Sequence, residues 1–192
     1  MIDMPQAQLS KEEFVDRLFS AFRDQGFDGV SMSDLARVTG LGKSSLYNYF
    51  PGGKEEMVEA VLQKADSFIT NKILGVAQTS KPLNIRIRKI VDAIEQFYAG
   101  GRTACLLGQF ATAAIGSSAR ETLSGAFELW IIAVAKLGCE SGLTPERARE
   151  FGEDWVTQFQ GALIVHGATG NIAPFERAMK KLLELSDDQA AV

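Results

Sequence analysis

The chain has 192 residues, 46% of them hydrophobic, and its 20 Lys and Arg against 24 Asp and Glu give a formal charge of −4. That length allows one sizeable core, or a small domain joined to a larger one, and the mean hydropathy is near zero. No run approaches the roughly eighteen apolar residues that span a bilayer, and Met1 to Ser10 has neither the basic start nor the apolar run of a signal peptide. A cytoplasmic protein with no membrane partner is expected.

Cysteine usage excludes two more classes. Cys105 and Cys139 have no CxxC spacing, and His166 is the single histidine, so neither a disulfide framework nor a zinc site is available. No metal and no cofactor are expected. An enzyme is not expected either, since a helical bundle would need convergent acid, base or metal groups and no Glu-x-x-His pattern is present.

In chain order, Met1 to Leu9 reads as a loose arm. Ser10 and Glu13 form a capping box, and Phe14, Leu18 and Phe22 recur every four residues up to Gly26, which predicts a first helix over 11–25. Its apolar stripe, with Phe27, is assigned to the core of a small N-terminal domain.

Ser31 and Asp34 make a second capping box, so the next helix starts at about Met32, with Leu35, Ala36 and Val38 on its apolar side. Gly40 stands where a helix stops in the left-handed conformation, which glycine adopts without the steric cost of a Cβ. A short helix over 43–50 follows. Its wheel puts Leu46 and Phe50 on one face, Ser44, Ser45 and Asn48 opposite, and Tyr47 and Tyr49 on the flanks. A narrow apolar anchor beneath a polar, uncharged face suits a helix that docks on its own domain and presents hydrogen-bonding groups to base edges. Ser44, Ser45 and Asn48 are the candidates for that reading, Asn being suited to adenine.

The string G-L-G-K-S-S-L-Y-N-Y-F-P-G-G-K-E-E-M closely resembles the recognition-helix signature of the TetR/AcrR family of bacterial transcriptional regulators. Its P-G-G-K form is similar to that of the LmrA/YxaF-type branch. The resemblance implies an all-α fold, and phosphate or groove-edge contacts at Ser33, Lys43, Tyr47, Tyr49 and Lys54. Gly42 occupies a position where the family usually carries a Ser or Thr cap. Charge is thin for a DNA binder. Residues 1–30 hold three basic against six acidic groups, while residues 31–54 hold Arg37, Lys43 and Lys54 against Asp34. Hydroxyls and backbone amides must therefore share the phosphate contacts.

From Lys54 a long helix is expected through about Leu74, with Met57, Val61, Ala65 and Phe68 on one side. In the family the corresponding helix is the lever that transmits ligand binding. Ser80-Lys81-Pro82 opens another helix, striped by Leu83, Ile87, Ile90, Val91, Ile94 and Phe97, with Arg86, Arg88 and Lys89 read as a solvated face. A short apolar helix over 105–115 comes next. Then Ser118 and Glu121 cap a helix in which Leu129 to Ala135 is apolar all round and should be buried on every side. Thr144-Pro145 opens a long helix containing Trp155, Phe159 and His166, and Ala173-Pro174 opens the last one, before a polar tail from Ser186.

The whole chain reads as about nine helices: a helix-turn-helix DNA-binding domain over 1–53 and a helical ligand-binding and dimerisation domain over 54–192. Apolar excess on the late helices, together with the family's dimer mode, implies a homodimer through the last two helices. Two recognition helices would then meet a palindromic operator in double-stranded DNA, with half-sites about 34–36 Å apart. A pocket for a small, largely apolar effector is implied by the resemblance. Its candidate lining is Phe68, Phe97, Cys105, Phe110, Trp130, Trp155 and Phe159, with Gln109, Gln158 and His166 as polar handles; ordinary core packing is the competing explanation for each aromatic. The functional expectation is a ligand-responsive repressor. The alternative is a helical sensor or adaptor that binds a protein partner, with DNA binding lost or ligand-dependent.

Overall fold

The computed structural model describes residues 10–186. The arm expected over 1–9 and the tail over 187–192 lie outside the described residues.

Among the described residues the chain is all helical, with nine helices and no strand. Helix α1 spans Lys11–Gly29 and opens on the expected box, the Glu13 amide donating to Ser10 Oγ and the Ser10 amide to Glu13 Oε2. Its end differs from expectation. Gly26 (φ 71°, ψ 176°) kinks the chain, and one further turn follows instead of a loop. Helices α2 (Met32–Thr39) and α3 (Lys43–Tyr49) follow as predicted.

Helix α4 is longer and less regular than expected. It runs as Gly53–Phe68, continues through a π-helical turn at Ile69–Leu74, and closes with an α turn at Gly75–Ala77. The remaining helices are α5 (Leu83–Phe97), α6 (Leu106–Ala111), α7 (Ser117–Glu140), α8 (Pro145–Thr169) and α9 (Ala173–Glu184). α6 is shorter than the apolar run over 105–115 suggested. Arg120 reaches back to accept the role of a cap, donating to the Ala111 and Ala113 carbonyls at 3.0 and 2.6 Å where the helix stops.

The 24-residue α7 lies at the centre, packed against α4, its π turn, α6 and α8. By length and composition it is apolar enough to cross a membrane. Here its apolar residues Leu123, Trp130, Val134 and Leu137 are buried in the core. The Ser118/Glu121 box does not form. Gly116 is the N-cap instead, and its amide donates to Glu55 Oε2 of α4 at 3.0 Å, so a distant carboxylate replaces the local one. Within Leu129 to Ala135, Ile132 is 42% exposed in the single chain, contrary to burial on every side.

Arg86 is the clearest correction. It is buried, not solvated: Nε donates to the Lys81 carbonyl (2.7 Å), Nη1 to the Ala77 carbonyl (2.6 Å), and Nη2 pairs with Glu140. The end of α4, the start of α5 and the end of α7 are thereby joined. Burying a guanidinium is tolerable only when its donors find partners, and three do.

The core is continuous from the N-terminal helices into the body. Phe22 meets Phe110 edge-on at 5.7 Å and Phe19 meets Phe97 at 5.8 Å, so α1 serves the helix-turn-helix and the body together.

Candidate nucleic-acid interface and ligand clefts

The capping box of α2 is complete, and it is charged. Asp34 accepts from Ser31 Oγ (2.6 Å), the Ser31 amide (3.1 Å) and Arg37 Nη2 (2.7 Å). These contacts, the Ser31 hydroxyl foremost, hold its pKa down to about 2. At the other end Gly40 is left-handed (φ 73°, ψ 14°) and its amide donates to Ala36 and Arg37. Arg17 of α1 donates to the carbonyls of Val38 and Thr39, 21 and 22 residues away, and so fixes the turn against α1. No local pattern marks Arg17 for this role.

Helix α3 is anchored by Leu46 and Phe50, both buried. Phe14 stacks against Phe50 and against Tyr49, each at 5.5 Å. Lys43, Ser44, Tyr47, Asn48 and Tyr49 are exposed on the rest of the helix, Ser45 is half-buried, and Ser33 is exposed on the first turn of α2. Gly42 provides no side-chain cap. Lys54 is held apart from this row: its ammonium sits 4.2 Å over the Phe27 ring, and burial lowers its pKa against the opposing pull of Asp28 and Glu55. Arg37 is engaged by Asp34, which leaves Lys43 as the motif's freely projecting cation among the described residues.

Residues 10–61 match the family model for bacterial regulatory proteins of the tetR family. Over those residues the chain is identified with the tetR family. The chain is 22% identical over 160 residues to the uncharacterized HTH-type transcriptional regulator YxaF of Bacillus subtilis, covering 81% of this chain and 84% of that one. It is 31% identical over 64 residues to LmrA of the same organism, covering 33% and 34%. Its fold is shared with the crystal structure of a TetR transcriptional regulator from Legionella pneumophila, with a TM-score of 0.80 at 20% identity, over 92% of this chain and 97% of that one. It is a transcriptional regulator with a DNA-binding helix-turn-helix.

The residues expected to line an effector pocket fall into four groups. Trp130, Trp155, Phe159 and Phe110 are fully buried, and the first three share a ring cluster with Tyr98 and Phe175 at centroid separations of 4.9 to 6.4 Å. They line none of the clefts described below, and core packing accounts for them. Phe68 and Phe97 stack at 3.9 Å and line an open cleft of about 710 Å³ between α4 and α5. Cys105 and Gln109 line a separate cleft of about 350 Å³ between α6 and α8.

Gln158 and His166 line neither of these clefts. Two residues past Gln158, and so on a different side of α8, Gln160 lines the smaller cleft and donates to Cys105 Sγ at 3.3 Å. Tyr98 Oη lies 3.3 Å from the same sulfur. Burial first, and then the adjacent thiol, push its pKa well above the ordinary phenol value.

Proposed function

We propose that this TetR-family regulator is a homodimeric, ligand-responsive repressor that holds a palindromic operator and releases it when a small effector binds the helical body. The observation that carries the reading is α3 itself. Two buried anchors fix the helix, while Ser44, Asn48, Tyr47 and Lys43 stay exposed. Asn48 with Ser44 and Ser45 reads base edges; Ser33, Lys43, Tyr47, Tyr49 and Lys54 contact phosphate or the groove edge. Residues 1–53 form the DNA-binding domain and 54–192 the effector and dimerisation domain. Operation in the cytoplasm follows from that role.

Dimerisation through the last two helices is supported by exposed apolar residues on α8, Ile164 at 70% and Val165 at 41%. The apolar side of α9 is used within its own chain by Phe175, Ala178, Met179 and Leu182, so α9 offers a partner its charged side, Glu176, Arg177 and Lys180.

The test is selection of bound fragments from the source genome at moderate salt, then gel shift of the enriched site. A palindrome and a shallow salt dependence are expected, because few cations project from the motif. Asn48→Ala should relax preference at one base position, by about 1–3 kcal/mol, whereas Lys54→Ala should weaken all sequences alike. Equal, sequence-independent losses for both variants would remove Asn48 from base reading. No enriched fragment would overturn the repressor reading in favour of a helical sensor or adaptor whose DNA binding is lost or ligand-dependent.

A further inference from the structure

Helices α4 and α7 run side by side and are tied at both ends. At the DNA-binding end Glu55 of α4 accepts the Gly116 amide at the start of α7. At the far end Arg86 joins the Ala77 carbonyl of α4 to Glu140 of α7. Between these ties lies the π turn, in which the Gly75 amide donates to the Thr70 carbonyl five residues back. Such turns interrupt α-helices mostly at functional sites.

This turn forms a wall of the α4–α5 cleft. Lys72 belongs to the turn itself, Val76 follows it, and Lys89 and Asp92 face them from α5. The stacked Phe68 and Phe97 rings complete the lining and also contribute to an adjoining cleft of about 650 Å³. Neither Lys72 nor Lys89 stands within ion-pair distance of a carboxylate among the described residues. The Lys81 ammonium lies within hydrogen-bonding reach of Lys89, and that contact first and its like charge second lower the Lys89 pKa, while Asp92 is the sole carboxylate in the lining. An apolar ring pair beside uncompensated ammonium groups is complementary to a molecule with a flat apolar body and one negative charge.

We propose that the α4–α5 cleft is the effector site and takes a small amphipathic organic anion, its apolar body against Phe68 and Phe97 and its acid group at Lys72 and Lys89. This rests on the ligand-responsive reading above. Drawing Lys72 onto the anion pulls directly on the π turn. If the turn relaxes to α spacing, the rest of α4 shifts by about one residue, roughly 1.5 Å along its axis and 100° about it. One tie must then yield. The Arg86 tie is buried and threefold, the Glu55 tie exposed and single, so the motion goes to the end that carries α3.

Calorimetric titration of the full chain with naphthalene-2-carboxylate and with the neutral naphthalene-2-carboxamide tests this. The carboxylate should bind at least about tenfold more tightly than the amide, and Lys72→Gln combined with Lys89→Gln should erase that advantage. Both lysines are exposed, so the fold should survive, and far-ultraviolet circular dichroism checks it. Equal affinity for the two probes on the unsubstituted protein, no carboxylate binding in the millimolar range, or an advantage that persists in the double variant would each overturn the proposal. Gel shift on the enriched genomic site separates it from the repressor reading. DNA binding without carboxylate binding overturns the cleft alone, and carboxylate binding with no enriched fragment overturns the repressor alone.

Discussion

Replacing Arg86 by Met keeps the aliphatic bulk of the side chain and removes its three hydrogen bonds, so the change isolates the polar part of the clamp. Ala77 is fully buried, and its carbonyl would lose the Arg86 donor at 2.6 Å. An unsatisfied buried acceptor costs about 1–3 kcal/mol. Glu140 is 34% exposed and keeps Lys136 at 3.1 Å, so its half of the pair adds only about 1 kcal/mol. Lys81 is exposed, and its carbonyl can turn to water. The total is about 3 kcal/mol, at the lower edge of the roughly 3–5 kcal/mol typical of a broken buried pair. With a urea slope of about 2 kcal/mol/M, the unfolding midpoint should fall by roughly 1.5 M at fixed protein concentration. Glu140→Gln, which leaves both carbonyl contacts in place, should shift it by less than half as much. A fall below about 0.3 M for Arg86→Met would refute the clamp and return Arg86 to the solvated face that its sequence neighbours suggest.

Three further outcomes follow from other contacts. Asp34 has its pKa depressed to about 2, so the stability it adds is full above the ordinary carboxylate value and is lost as pH falls through about 2. The stability gap between the parent and Asp34→Ala, measured by thermal melts, should therefore stay constant above about pH 5 and close toward pH 2; a gap unchanged over that window would show that the carboxylate charge is irrelevant. Gly75→Ala would place a Cβ 3.0 Å from the Thr70 carbonyl, the acceptor of the π turn, while favouring α-helix by about 1 kcal/mol. Operator affinity in gel shift should drop severalfold with the melting temperature undiminished, and an affinity within about twofold of the parent would rule out a role for the turn. Glu55→Ala removes the acceptor of the Gly116 amide at an exposed helix start, and the melting temperature should fall by no more than about 4 °C, corresponding to less than about 1 kcal/mol.

What was legible in the sequence depended on how far along the chain each partner stands. The boxes at Ser10/Glu13 and Ser31/Asp34 close over three residues, and the left-handed Gly40 needs only its own backbone, so the starts of α1 and α2 and the turn after α2 could be placed from the sequence. Leu46 and Phe50 were recognisable as anchors because a single helix wheel contains them both. Arg86 and Glu140 stand 54 residues apart, and Glu55 and Gly116 stand 61 apart. Nothing local distinguishes a clamping arginine from a solvated one. The same distance explains why the Ser118/Glu121 pattern misled, since a better acceptor arrived from another helix. The π turn left no trace because Ile69 and Ile73, both buried, keep the four-residue apolar spacing of an ordinary helix.

The aromatic residues show a different limit. A ring that lines a cleft and a ring that fills a core have the same composition, and only packing separates Phe68 and Phe97 from Trp130, Trp155 and Phe159. The apolar run over 129–135 belongs to this class too. Its composition demands cover on all sides, yet one chain leaves Ile132 exposed, as it does Ile164 and Val165 on α8. Isolated exposed aliphatics need no explanation, but Ile164 and Val165 are neighbours on α8, one of the two helices of the proposed dimer seam. Burial that composition demands and the single chain withholds is therefore a reason to test the proposed dimer, and a purely intrachain reading of the wheel would miss it.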